Sequence, residues 1–302
     1  MALAEQLPDI TSVENLTQSF ALQWVGMEGI AVPLNCELAD QQMVFLNAKA
    51  KVHVSLDDPY AKGIHMSRAH ALVNELASGV FSKSACDHFL RELVASQQGI
   101  SQNARFELAF ELPLVKAALI SEEHGYQSYP VKIGGQLLAG QLSYRLQTSV
   151  PYSSTCPCSA ALARQLMAQA VEQRFTQPSI DKDELLDWVQ QSTVATPHSQ
   201  RSYAELDLDM GDNDWPELSS FIQLIESTLV TPVQTLVKRR DEQEFARLNG
   251  SNLMFCEDAA RRLKGFLESL DWAQDYRFKV EHQESLHAHN AVVMDQKFPG
   301  AH

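Results

Sequence analysis

Two of the five cysteines stand one residue apart in Thr155-Cys156-Pro157-Cys158-Ser159, at the expected start of a helix. Unpaired backbone N–H groups and the dipole of a helix N-terminus favour a thiolate over a thiol, so both sulfurs are suited to bind a metal or act as nucleophiles. Pro157 stiffens the turn between them. The Cys-x-Cys spacing is too short for the paired knuckles of a structural zinc ribbon. It fits one thiolate ligand in an open site whose other ligands come from elsewhere in the chain.

Four further stretches carry residues that chemistry uses. His198 precedes a predicted strand in Pro197-His198-Ser199-Gln200-Arg201-Ser202, where Arg201 and Ser202 suit an anion. Arg239-Arg240-Asp241-Glu242 reads as a charged turn or helix start. Glu257 lies in an amphipathic helix, with Arg261 one turn on as its expected ion-pair partner. In Glu281 to Asn290, a strand would put Ser285, His287 and His289 on one face, because side chains alternate with period two. Cations gather at Lys62 with Arg68 and at Lys238-Arg239-Arg240. Taken alone, these residues point to a metal-dependent hydrolase.

The elements that must position them follow from periodicity. Apolar alternation predicts strands over 20–34 and 43–56, a helix opening at His65-Met66-Ser67-Arg68, and a second helix capped by Ser82. A strand over 104–118 comes next, then a long strand over 129–150 interrupted at Gly134-Gly135. The second half reads as a short helix after Cys158, a strand over 200–210, helices over 216–229 and 252–270, and a last strand over 276–294. Phe255, Ala259, Leu263, Phe266 and Leu270 form the apolar stripe of the 252–270 helix. Helices gathered apart from antiparallel strands make an α+β architecture. The division expected is a polar arm at 1–18, a first unit at 19–150 and a second at 151–302.

A chain of 302 residues has ample length to bury a core. Its net charge of −14 argues against a nucleic-acid partner, although an anionic small molecule can still bind where cations gather. With 45% hydrophobic and 21% charged residues, and no apolar run of membrane-spanning length, the expectation is a globular protein without a membrane partner. The first residues lack a basic stretch followed by an apolar one, and five cysteines without framework spacing suggest a reducing cytoplasm.

In order, Thr155-Cys156-Pro157-Cys158-Ser159, His198-Ser199-Gln200-Arg201-Ser202, Phe255-Cys256-Glu257-Asp258 and Glu284-Ser285-Leu286-His287-Ala288-His289 closely resemble the GTP cyclohydrolase IB family, and His65-Met66-Ser67-Arg68 after Gly63 matches its N-terminal motif. The resemblance runs from about Gly26 to Val293. It implies a tunnelling fold (T-fold) in two modules, each of antiparallel strands with paired helices, assembled into barrels as a homotetramer with active sites between subunits. It also implies conversion of GTP and water to 7,8-dihydroneopterin triphosphate and formate, the first step toward tetrahydrofolate. Carried over motif by motif, Cys156, His198 and Glu242 become ligands of one divalent metal per site, manganese, zinc or iron. Glu257 becomes the guanine anchor, and Cys158, His287 and His289 the catalytic groups. His65, Ser67, Arg68 and Arg201 become substrate-binding residues, with Lys62 and Arg239 as further cations for the triphosphate.

Two other readings compete. A nitrile reductase of the same fold would use a cysteine nucleophile and NADPH and leave His198 and Glu242 without a role. A non-catalytic zinc protein would close a four-ligand shell from Cys156, Cys158, His287 and His289.

Overall fold

One antiparallel sheet, with its strands in chain order, runs through the computed structural model, which describes residues 19–39, 41–192 and 194–297. Strands β1 (Leu22–Glu37) and β2 (Met43–Leu56) form a hairpin, followed by helices α1 (Met66–Ser78) and α2 (Lys83–Ala95) and strands β3 (Ala104–Ala117) and β4 (His124–Leu138). Strand β5 (Gln141–Thr155) leads into α3 (Pro157–Arg174) and α4 (Lys182–Gln191) before β6 (Ser199–Gly211). Helices α5 (Leu218–Leu229), α6 (Arg239–Ser251) and α7 (Cys256–Glu268) precede β7 (Asp275–His282) and β8 (Ala291–Gln296). The order strand, strand, helices, strand, strand therefore occurs twice. The second round begins with β5, so residue 150 lies inside a strand, and α3 and α4 are inserted between its first two strands. The arm expected at 1–18 lies outside the described residues.

Alternation explains the sheet. In β3, Ala104, Phe106, Leu108, Phe110, Leu112 and Leu114 are buried, while Arg105, Glu107 and Ala109 between them are only half-buried. The buried face joins one core with Val73 and Leu76 of α1, Phe89 and Leu93 of α2, Ile222 and Ile225 of α5, and Leu263 and Leu267 of α7. Each large apolar side chain so buried contributes on the order of 1.5–3 kcal/mol. Ser82 caps α2 as expected, its Oγ accepting the Ala85 N–H at 3.2 Å. The one carboxylate that α5 buries, Glu226, is satisfied by the Tyr129 hydroxyl and by an ion pair with Lys116.

Several expected elements are corrected. The strand predicted over 129–150 is two strands, β4 and β5, and the chain turns at Ala139-Gly140, both at positive φ, rather than at Gly134-Gly135. Gly135 sits mid-strand because a Cβ there would come within 2.4 Å of the Phe106 ring and 2.7 Å of the Tyr144 ring. The last strand is likewise two, β7 and β8, joined by a loop over 283–290. Helix α3 runs 18 residues instead of being short. Helix α4 was not foreseen as a separate element, whereas α6 begins at Arg239, where a charged turn or helix start was expected.

Register sorts the chain between two ends of the sheet. Leu56, Ala104, the turn at 139–140 and Gly211 mark one end. The 38–42 and 118–123 turns, Thr155, Ser199 and the 283–290 loop mark the other.

Candidate active site

Cys156 is the N-cap of α3, with Pro157 as first helical residue, where its fixed φ suits the helix and its missing N–H costs nothing. The Cys156 N–H donates to the His198 carbonyl at 3.2 Å, and the His198 N–H donates to Ser159 Oγ at 3.0 Å. His198 is thus fastened to the first turn of α3 through both its N–H and its carbonyl. Next to this clamp, the Thr155 and Ser199 hydroxyls lie 2.7 Å apart, and Asn249 of α6 accepts from Ser153 Oγ at 2.7 Å. The Met254 N–H donates to the Thr155 carbonyl at 3.2 Å, which seats the start of α7 beside the start of α3.

Glu257 is the second residue of α7 and is exposed near the unpaired N–H groups of that terminus. Its expected pairing with Arg261 is corrected: Arg261 bonds Asp258 at 3.0 Å, and Asp258 also accepts the Phe255 N–H at 3.0 Å. Among the described residues no hydrogen bond or ion pair holds the Glu257 carboxylate, which leaves it open to a ligand. The Gln283 N–H donates to the Arg201 carbonyl at 3.0 Å and draws the 283–290 loop to the same corner. In that loop, not on a strand as expected, the His287 and His289 rings stack at 4.9 Å with an interplanar angle of 10°.

The ring of His198 faces two acceptors: Gln200 Oε1 stands 3.0 Å from Nδ1, and Glu284 Oε2 stands 3.9 Å from it. Behind this corner His282 is 2% exposed, with Nε2 2.8 Å from the Tyr152 hydroxyl. Burial pulls its pKa down to about 4, against a smaller opposing pull from Glu257. Cys256 is pushed up to about 11 by burial, so it packs as a thiol and is set apart from the more accessible Cys156 and Cys158.

Cys156 and His198 fit a divalent ion that accepts sulfur and nitrogen: they are held side by side, and among the described residues no partner meets the ring at Nε2. Glu242 does not stand with them. It is exposed on the first turn of α6, two helical turns before the Asn249 that touches β5, or about 10 Å at 1.5 Å per residue. What fixes that first turn is Asp241, whose carboxylate accepts from the N–H groups of Ile120, Ser121 and Lys238 and from Ser121 Oγ. These bonds hold its pKa far below the usual carboxylate range, against the cost of burial. Among the described residues no three His, Cys, Asp or Glu side chains gather closely enough to hold an ion. The expected triad is therefore not assembled in the structure, and neither is the four-ligand shell of Cys156, Cys158, His287 and His289.

His65, Ser67, Arg68 and Lys62 lie at the opposite end of the sheet. The His65 N–H donates to Gln97 Oε1 at 2.8 Å and the Arg68 guanidinium to the Ser96 carbonyl at 2.8 Å, beside the turn that follows α2. One chain keeps this motif away from Cys156. Sequence motifs gave no role to Gln200, Asn249 or His282, whose importance lies in contacts between distant segments. Glu284, quoted within a motif, had no role assigned either. A cavity of about 1170 Å3 opens on the sheet face away from the helices, lined by Lys49, Lys132, Asp207, Arg277 and Lys279. It lies at mid-strand, apart from the clamped corner, so size alone does not mark the chemistry.

Comparison with known proteins identifies the family. The family described as type I GTP cyclohydrolase FolE2 matches residues 7–293. A GTP cyclohydrolase FolE2 from Hahella chejuensis is 58% identical over 99% of this chain and 98% of its own length. One from Pseudoalteromonas atlantica is 53% identical, with 96% of each chain covered. Among solved structures, a hyper-thermostable uricase mutant superposes with a TM-score of 0.50 at 4% identity over 92% of both chains, a likeness of fold alone, and that fold is the T-fold. The chain thus belongs to the type I GTP cyclohydrolase FolE2 family.

Proposed function

We propose that this chain is a GTP cyclohydrolase of type IB that opens the guanine ring of GTP at C8 with a divalent metal ion, giving 7,8-dihydroneopterin triphosphate and formate at the first step of folate biosynthesis. The observation that carries the site assignment is the convergence of four separate segments on one corner of the sheet: the starts of α3 and α7, the residues before β6, and the β7–β8 loop.

Each segment has a task. Cys156 and His198 would hold the ion, while Glu242, the carboxylate that the family motif adds, stands apart from them on the first turn of α6. Bound there, manganese, zinc or iron would supply the Lewis acidity that makes hydroxide available near neutral pH. The Glu257 carboxylate accepts paired hydrogen bonds from guanine N1–H and the 2-amino group, a pattern adenine lacks. His287 and His289 move protons during ring opening, formate release and reclosure, and Cys158, exposed as the second residue of α3, is a further acid–base group in the same pocket. Arg201 answers part of the triphosphate charge.

The remaining cations support an assembly. His65, Ser67, Arg68 and Lys62 are separated from Cys156 by roughly the length of β5, whose 15 residues at about 3.3 Å each extend over ~45–50 Å. A second copy laid beside the first in the opposite sense would bring its own His65–Arg68 end to the Cys156 corner, in line with a homotetramer whose sites lie between subunits. Arg239, at the start of α6, is a further candidate for the phosphates. All five cysteines are thiols, which supports a reducing cytoplasm. Among the described residues no helix is long and apolar enough to cross a membrane.

The test is turnover by metal-free protein resupplied separately with manganese, zinc and iron, following both products. Equal amounts of dihydroneopterin triphosphate and formate would support the reading. Bound GTP with neither product would overturn it in favour of a reductase or a binding protein.

A further inference from the structure

Behind His198 runs a set of buried hydrogen bonds with no part in the reaction as described. Gln200 Oε1 lies 3.0 Å from His198 Nδ1, and the same carboxamide donates from Nε2 to Ser154 Oγ at 2.8 Å. Ser154 Oγ in turn lies 2.8 Å from Ser202 Oγ. Ser154 and Ser202 are both 0% exposed and Gln200 is 8% exposed, so solvent does not compete for these atoms. The side chains come together because Ser154 on β5 and residues 200 and 202 on β6 share one face of adjacent paired strands.

The direction of the bonds follows from their chemistry. With its nitrogen committed to Ser154, the Gln200 carboxamide can only accept from the imidazole, so Nδ1 carries the proton. Glu284 Oε2, at 3.9 Å, is beyond hydrogen-bond reach of Nδ1. The His198 backbone is already tied on both sides to the first turn of α3. Nε2 is then the lone-pair nitrogen, and the only ring nitrogen without a partner among the described residues.

We propose that Gln200 is a positioning residue for His198: it holds the imidazole as the Nδ1–H tautomer and presents Nε2 to a divalent ion, with Ser154 and Ser202 holding Gln200 in turn. The proposal rests on His198 being a metal ligand. An unsupported imidazole divides between two tautomers and several ring rotations, only part of which can bind. An acceptor behind the ring removes that division and makes Nε2 a better donor, and losing such a partner commonly weakens metal binding by about 10–100-fold.

The test uses the full-length, metal-free protein titrated with cobalt(II) against a chromogenic chelator, with the thiolate-to-cobalt absorption band recorded and thermal melts as a check on folding. The variants are Gln200→Leu, Gln200→Glu and His198→Ala. Expected results are near-complete loss of tight cobalt binding for His198→Ala and about 10–100-fold weaker binding for Gln200→Leu with the thiolate band still reached at saturation. Gln200→Glu, which keeps an acceptor, should bind close to the parent. Parent-like affinity in Gln200→Leu together with loss in His198→Ala would overturn the proposal and leave the ligand assignment standing, as would equal weakening in the Leu and Glu variants. Parent-like affinity in His198→Ala would remove both. Should Gln200→Leu fail to fold, Ser154→Ala serves, because it frees the carboxamide to turn. Weaker cobalt binding is expected there, and unchanged binding overturns the proposal.

Discussion

The backbone N–H of Met254 donates to the carbonyl of Thr155 at 3.2 Å, and this seam sets the start of α7 against the start of α3. Two helix N-termini, one bearing Glu257 and the other Cys156, therefore point at one corner from segments far apart in sequence. A helix N-terminus favours a negatively charged group placed beside it. The same device thus delivers a carboxylate and a sulfur donor to one corner.

Removing the Glu257 carboxylate should damage binding far more than folding. Glu257→Ala deletes charge-assisted bonds to the base worth about 3 kcal/mol or more together, so kcat/KM for GTP should fall at least ~100-fold. Its exposed place on α7 limits the stability loss to the helix-dipole contribution, about 0.3–1 kcal/mol. Steady-state kinetics and a denaturant melt on the same sample would separate the two effects, and a large loss of stability would count against the anchor role.

Motifs at opposite ends of one sheet should complement between subunits. Arg68→Ala and His198→Ala proteins, each inactive alone, should regain about a quarter of parental activity per site after being dissociated, mixed equally and reassembled, since a quarter of interfacial sites would then draw both intact halves. Activity assays before and after mixing would decide it. No recovery from mixed oligomers of confirmed composition would place both residues in one chain's site.

Stability should fall on acidification through His282. Its folded pKa of about 4 lies below the ~6.5 of an unfolded histidine, so the unfolded chain binds the extra proton first. Full stability is present above pH ~6.5 and is lost as pH falls toward 4, by about 3 kcal/mol from this group. Urea unfolding at a series of pH values should show that slope in the parent and a flatter one in His282→Asn, whose carboxamide can still meet the Tyr152 hydroxyl. Equal slopes would exclude His282 as the source.

The adjacent glycines of β4 should respond differently to one methyl group. Gly135→Ala drives a Cβ into the Phe106 and Tyr144 rings and should cost about 1–3 kcal/mol. At Gly134 the nearest atom is the Phe106 carbonyl oxygen at 3.7 Å, so Gly134→Ala should be near neutral. Chemical denaturation of the two variants is the comparison, and similar losses would mean that backbone freedom, rather than ring packing, explains the pair.

Much of the fold was legible because period is a local property. The alternation of Phe106, Leu108, Phe110 and Leu112 and the stripe of Ala259 and Leu263 mark their elements without knowledge of neighbours. Turns were less legible. Gly134-Gly135 has the composition of a break, yet its glycines answer to aromatic rings arriving from β3 and β5, which local sequence does not show. The pairing of Glu257 with Arg261 failed for a related reason: Asp258 was equally near along the helix, and it was already drawn in by the Phe255 N–H.

By itself the sequence determined the residue types and their order: Cys156 before Pro157, His198 at a strand's entry, Glu257 at a helix's start and two histidines near the chain's end. These carry the family and the reaction because donor chemistry belongs to a side chain wherever it is placed. Only the tertiary structure decided which of them meet. It set His198 against α3 and Gln200, left Glu242 on the first turn of α6, two turns before Asn249, and put Arg68 at the far end of the sheet. Those outcomes depend on strand register and on hydrogen bonds between segments distant in sequence, and neither is encoded in any one stretch of the chain.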